Sequence, residues 1–329
     1  MPPLCLGETM SSEKQIFANG RVSVISTGLF AMDKFVRLAE CKTLQEALKM
    51  LSENGYGAGA TLDNPNDYDN VLRDELDNAL AELKEFCYDK NALGFLLATY
   101  DFANAKTLMK AKYMRVDGTD GCFAGASYLP EQMQNDFVND EYHAYPVTMA
   151  EACDRIDDRF ARGERSPSVV DEELDKAMYA QMSICARRCS VGALKSLCAY
   201  RIDSTNIITI ARAKKAGFST ERLQKLLLDG GKLKQQTLLN LWHGDNDAVG
   251  DLSDELRAVY NACTDIAIAE ETKRAHEFEV LSREADSLSV QPVLVYFARK
   301  THEIDLVRMI LIGVKNNLPK DKIKANIVL

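Results

Sequence analysis

The chain has no apolar run near the roughly 18–20 residues that a bilayer span requires. Its longest candidate, residues 93–99, is closed off by Asp101. The opening stretch MPPLCLGETMSSEK lacks a basic start and a continuous apolar segment, so it does not read as a secretory signal. Prolines number only eight in 329 residues, and the 124 positions between Pro167 and Pro292 hold none, which suits long helices. The nine cysteines are scattered without a CxxC pair. Cys185 and Cys189 stand four apart with no second Cys/His pair to complete a metal site. Reduced thiols and a cytoplasmic compartment are the expectation, with any membrane association running through other proteins. The net charge of −9 argues against a nucleic-acid partner, whose phosphates require a basic face.

Catalytic constellations are missing as well. His143, His243, His276 and His302 are isolated from one another and fit no metal-ligand spacing. No Ser or Cys stands in a recognisable nucleophile setting. Gly230-Gly231-Lys232 resembles part of a phosphate loop, but Leu233 replaces the required hydroxyl and no strand leads in. A glycine pair ending a helix over residues 223–228 explains it better. Asp154, Asp157 and Asp158 resemble the magnesium-holding acids of a helical terpene synthase. The second ligand set is absent, however, and a solvated acidic helix end is the simpler reading. No catalytic, cofactor-binding or metal-binding residue is assigned, and no cofactor is expected.

What the chain does have is a repeat with a spacing of about one hundred residues. Tyr100, Asp101, Asn104, Lys110 and Lys112 recur as Tyr200, Asp203, Asn206, Arg212 and Lys214. A third copy carries Lys300, Glu303, Ile310 and Lys315, with Leu306 where the others have asparagine. A second element follows each: LPEQM at residues 129–133, FSTERL at 218–223 and LPKDKI at 318–323. Ser219 is a natural helix cap, and proline suits a first turn. Asn206 to Ser219 and Leu306 to Pro319 are both 13 residues, whereas Asn104 to Pro130 is 26, giving the first copy a 13-residue insertion within MRVDGTDGCFAGA. A related capped start lies at residues 42–48. A third element, with Glu75 and Glu173 98 apart, precedes two of the motif stretches.

Periodicity supports helices throughout. Leu72, Leu76, Ala79, Leu83 and Phe86 form one apolar stripe, and Leu252, Leu256, Val259, Cys263 and Ile266 another. No segment shows strand alternation between hairpin turns. The chain reads as all-α, in three similar helical bundles over residues 1–115, 116–216 and 217–329. Asp101 with Asn104, and Asp203 with Asn206, share a helix face three residues apart. One reading makes these polar pairs fasteners inside each bundle; the other presents them to a partner. The last 37 residues carry seven Lys/Arg and three acids, +4, which leaves −13 on the rest of the −9 total.

These residues resemble the C subunit of the V-type (A/V-type) ATPases and ATP synthases, related to the d subunit of the eukaryotic vacuolar enzyme. The likeness begins at Phe17-Ala18-Asn19-Gly20-Arg21 and includes residues 52–57. It is most specific at Tyr100, Asp101, Asn104 and Lys110, and returns at Arg299, Glu303 and Arg308. Gly20 departs from the family's usual alanine, and residues 117–126 match nothing in it. The resemblance implies a non-catalytic, funnel-shaped protein of three helical bundles about a pseudo-threefold axis. It implies a peripheral position on the cytoplasmic face of the membrane, between central-stalk subunits and the membrane rotor ring, coupling the two for proton or sodium transport. Arg21, Tyr100, Asp101, Asn104, Lys110, Asp203, Asn206, Arg212, Arg299, Glu303 and Arg308 are then expected to be structural. An unrelated helical-repeat scaffold is the alternative, although such repeats run to about 34–47 residues. An all-α enzyme of terpene-synthase type is the third reading.

Overall fold

The computed structural model describes residues 6–59, 68–282 and 288–327. Pro2, Pro3 and Pro65, and the first residues of the opening stretch, lie outside them. All regular structure among the described residues is helical. The first helices are α1 (Leu6–Ile25), α2 (Met32–Glu40), α3 (Leu44–Glu53) and α4 (Tyr68–Phe86). Then come α5 (Lys90–Met114), α6 (Pro130–Val138), α7 (Val147–Ala161) and α8 (Pro167–Arg188). Next are α9 (Gly192–Lys215), α10 (Thr220–Leu226), α11 (Gln235–His243) and α12 (Asn246–Gly250). The chain closes with α13 (Asp254–Ala262), α14 (Ile266–Ser282), α15 (Gln291–Lys315) and α16 (Lys320–Ala325).

Local chemistry sets many of these boundaries. Thr43 caps α3 by accepting from the Glu46 N–H, and the Glu46 carboxylate accepts from the Lys42 N–H. Asp89 caps α5 through the Asn91 and Ala92 N–H groups, and Ser219 caps α10 through Arg222. In α4, Leu72, Ala79, Leu83 and Phe86 form the buried stripe. The stripe read from Leu252 to Ile266 is not one helix. Ser253 caps α13, Cys263 closes it, and Ile266 opens α14. A cap placed inside an apolar pattern overrides its periodicity.

The three motif helices α5, α9 and α15 stop in the same way. Arg115 (φ 57°), Gly217 (φ 66°) and Asn317 (φ 52°) each lie 14 residues past Asp101, Asp203 and Glu303 and turn left-handed. The next N–H then reaches back six residues inclusive, Val116 to Ala111, Phe218 to Ala213 and Leu318 to Gly313, at 3.2, 3.0 and 2.9 Å. The short helices that follow are capped by Leu129, Ser219 and Pro319. Four residues on, Met133, Leu223 and Ile323 are all buried. Cap alignment thus matches Leu129, not Pro130, with Pro319. The interval from Asn104 is 25, and the insertion is 25 − 13 = 12 residues rather than 13.

The chain divides into two compact units, Asp89–Arg283 and Met1–Tyr88 with Glu284–Leu329. The unit boundaries fall at 88/89 and 283/284, and each motif helix packs with helices of its own unit. In the internal unit α5 lies along α8 and touches α6, while α9 lies along α14 and touches α10, α11 and α13. In the terminal unit α15 lies along α4 and touches α1, α2, α3 and α16. One apolar core there joins Phe35, Leu38, Leu51 and Leu72 to Val307, Ile310 and Leu311.

Candidate functional site

The repeated polar residues are candidates by recurrence, and the structure shows where each one goes. Asn206 on α9 donates from Nδ2 to the Leu228 carbonyl at 2.9 Å and accepts the Leu228 N–H on Oδ1 at 2.8 Å. One turn earlier, Asp203 accepts the Lys232 N–H at 2.8 Å and the Leu233 N–H at 3.2 Å. Asn104 on α5 repeats the two-way grip on Phe123, at 3.0 and 2.8 Å. Asp101 accepts the Ser127 N–H at 2.7 Å and its hydroxyl at 2.8 Å. The i, i+3 spacing therefore lets each pair hold a loop at two points, four or five residues apart. The side chains satisfy backbone groups that secondary structure leaves open.

The source of the loop differs between copies. Asn206 and Asp203 hold the segment after α10. Asn104 and Asp101 hold the inserted segment before α6, so the insertion occupies the polar grip of its own motif helix. Gly118 and Gly121 let it lie close: an added Cβ would come within 2.7 Å of Ala111 and 3.1 Å of Thr107.

Glu303, the third acid, is buried on α15. Its Oε2 accepts the Phe30 N–H at 2.5 Å, and Oε1 accepts from the Tyr56 hydroxyl at 2.6 Å and Lys300 Nζ at 2.7 Å. Lys300 also pairs with Glu75 at 2.6 Å. Burial works to lower the Lys300 pKa, but Glu303 and Glu75 outweigh it and the group is raised above its ordinary value. Burial, with Glu303 alongside, pushes the Tyr56 phenol upward. Leu306, in the asparagine position, belongs to the apolar core instead.

Burial raises the Asp203 carboxyl above the usual carboxylate range, against the pull of the Lys232 and Leu233 N–H groups and the Lys232 charge. Among the described residues no side-chain cation is hydrogen-bonded to it in the way Lys300 is to Glu303. Gly230 and Gly231 lie in the loop this carboxylate holds, not at the end of α10. A Cβ at Gly231 would sit 1.9 Å from Asp203 Oδ1.

The motif cations are paired on the rims. Lys110 meets Asp171 of α8 at 2.6 Å and Arg212 meets Glu270 of α14 at 2.9 Å. Arg308 meets Asp69 of α4 at 2.6 Å, and Arg21 meets Glu85 at 3.2 Å while lying over Phe86. Tyr100 packs edge-on against Phe123, and Arg299 is exposed on α15. Asp157 is not a solvated helix end: Lys112, Tyr113 and Tyr142 all donate to it. Glu75 and Glu173 are not equivalent either. Glu75 faces the motif helix, whereas Glu173 pairs with Arg155 and Arg159 of α7. Charged helical sequences match each other at more than one register.

Residue patterns did not reveal the receiving side: Phe123, Ser127, Leu228, Lys232, Leu233 and Phe30. Five of these make the hydrogen bonds through backbone groups alone, which no residue type announces. The Gly230-Gly231 pair was the available signal.

The recurring polar side chains of this all-helical framework are spent on its own loops. The chain belongs to the family described as ATP synthase (C/AC39) subunit, whose model matches residues 18–326. It is 24% identical over 330 residues to the C subunit of the A-type ATP synthase of Desulfurococcus sp. (strain SY), covering 94% of this chain and 89% of that one. The same-named protein of Thermococcus gammatolerans is 24% identical over 325 residues, covering 94% and 88%. That of Methanococcoides burtonii is 22% identical over 368 residues, covering 98% and 97%. Among the described residues no helix is long and apolar enough to cross a membrane.

Proposed function

We propose that the chain is a non-catalytic rotor adapter of an A/V-type ATP synthase or ATPase, joining central-stalk subunits to the membrane rotor ring. The observation that carries this reading is the family match over residues 18–326, with relatives named as the C subunit of A-type ATP synthases matching along almost their whole length. The three motif helices, each with its left-handed stop and following short helix, support a helical unit used three times. On this reading Asp101, Asn104, Asp203, Asn206 and Glu303 brace the bundles, and Lys110, Arg212 and Arg308 tie neighbouring helices. The protein sits peripherally on the cytoplasmic face, held through its partners. A torque coupler must resist bending, and loops fastened to helix interiors at two points serve that need. The acidic body is expected to meet basic groups on a partner, so binding weakens as salt is added.

The test is deletion of the chain from the complex, with co-purification of the stalk and ring as the companion measurement. ATP hydrolysis by the soluble sector is expected to persist while coupled ion transport is lost. Coupled transport that survives deletion rules the adapter role out.

A further inference from the structure

We infer that the helices α2 to α4 and the third motif helix α15 build one cooperative unit, a clasp between segments far apart in sequence. In the internal unit each motif helix is followed by its own partner: α5 by α6, α7 and then α8, which lies along it, and α9 by α10 to α13 and then α14. The third motif helix, α15, is followed by the short helix α16, which touches it only lightly. The place that α8 and α14 take is filled from the other end of the chain by α4, with α2 and α3 alongside.

The joint is specific. Lys300 reaches Glu75 and Arg308 reaches Asp69, both at 2.6 Å, tying α15 to α4 at two levels. The Tyr296 hydroxyl donates to Glu82 at 2.6 Å, a third level. Glu303 holds the corner before α2 through the Phe30 N–H and the turn after α3 through Tyr56. Lys324 meets Glu40 at 2.8 Å, and Lys320 donates to the Glu40 carbonyl. The charge asymmetry along the sequence is thereby used: basic residues of the last two helices meet acids of the first four.

The apolar side of the joint is as shared as the polar side. Phe35, Leu38, Leu51 and Leu72 are at most 1% exposed and lie in one core with Val307, Ile310 and Leu311, all 0% exposed. Neither end segment can bury its own apolar face alone, so neither is expected to hold its structure without the other. This holds whether or not the adapter role is right.

Native-state hydrogen exchange on the full-length chain in increasing urea tests it. Amides of α2, α3 and α4 are expected to share one opening isotherm with those of α15, distinct from that of α9. Ile310→Val, a mild core change, is expected to speed exchange by the same factor in both end segments, about 2- to 10-fold, and to leave α9 unchanged. Separate isotherms for the two ends overturn the clasp. So does a single isotherm for every helix, α9 included, or an Ile310→Val effect that is not shared by α2 and α3.

Discussion

Asn206 grips the backbone of Leu228 with both ends of its amide, at 2.9 and 2.8 Å. It does for that loop what a neighbouring strand does for another. Asn104 makes the same pair of bonds to Phe123. Two amides 102 residues apart thus perform one task, on loops that come from different places in the chain.

Asn206→Leu is expected to destabilise the protein by about 2–5 kcal/mol, because it strands a buried N–H and a buried carbonyl of Leu228. Asn104→Leu is expected to cost less, since Phe123 is only half-buried. The reverse change in the third copy, Leu306→Asn, is expected to destabilise as well, by placing an amide in an apolar core. Urea denaturation of the three variants checks the order. A stabilising Leu306→Asn contradicts the packing.

Gly231→Ala is expected to cost about 1–3 kcal/mol by overpacking against Asp203. The double variant Gly231→Ala/Asp203→Ala is expected to lose less than the sum of the two, because the colliding oxygen is gone. A double-mutant cycle on thermal melts measures the coupling, and strict additivity excludes the contact.

The raised Asp203 carboxyl carries a pH signature. Between its ordinary value of 3.8 and its raised folded value, the folded chain holds more proton at this site than the unfolded chain does. The stability contributed by this group therefore falls as pH rises through that window and is constant above it. Comparing wild type with Asp203→Asn cancels the other carboxylates. The stability difference, wild type minus variant, is expected to be largest at the acid end and to decline towards neutral pH. A difference that grows with pH has the wrong sign.

Lys300→Met leaves Glu75 and Glu303 facing each other without their shared cation. A loss of about 3–5 kcal/mol is expected, and adding Glu303→Gln should recover part of it. Arg21→Ala is the contrasting case. Its ion pair with Glu85 is exposed, 54% and 58%, so a change below about 1 kcal/mol is expected. Equal effects in the two variants, by chemical denaturation, would contradict the difference in burial.

Much of the framework was legible. Asp101, Asp203 and Glu303, with Asn104 and Asn206, stood out by recurrence, and all five are buried on long helices. Ser219 and Thr43 were readable as caps by residue type. The match of Leu129 with Pro319 was not, since a cap without a polar side chain leaves no signature. The acids of α4 and α8 aligned in the wrong register because surface charge repeats along any amphipathic helix. The grouping of helices was harder still: Glu75 and Lys300 are 225 positions apart and look like unrelated surface charges until α4 and α15 lie together.

The sequence by itself determined that the chain is helical, that one helical motif occurs three times, and that a second helical element follows each copy. Those are properties of neighbours along the chain, set by side-chain period and capping chemistry. Only the tertiary structure decided which loop each polar pair would hold, and that the first four helices close against the last two. Such choices depend on which apolar faces can be buried together, and burial is settled between segments brought together in space, not within any one of them.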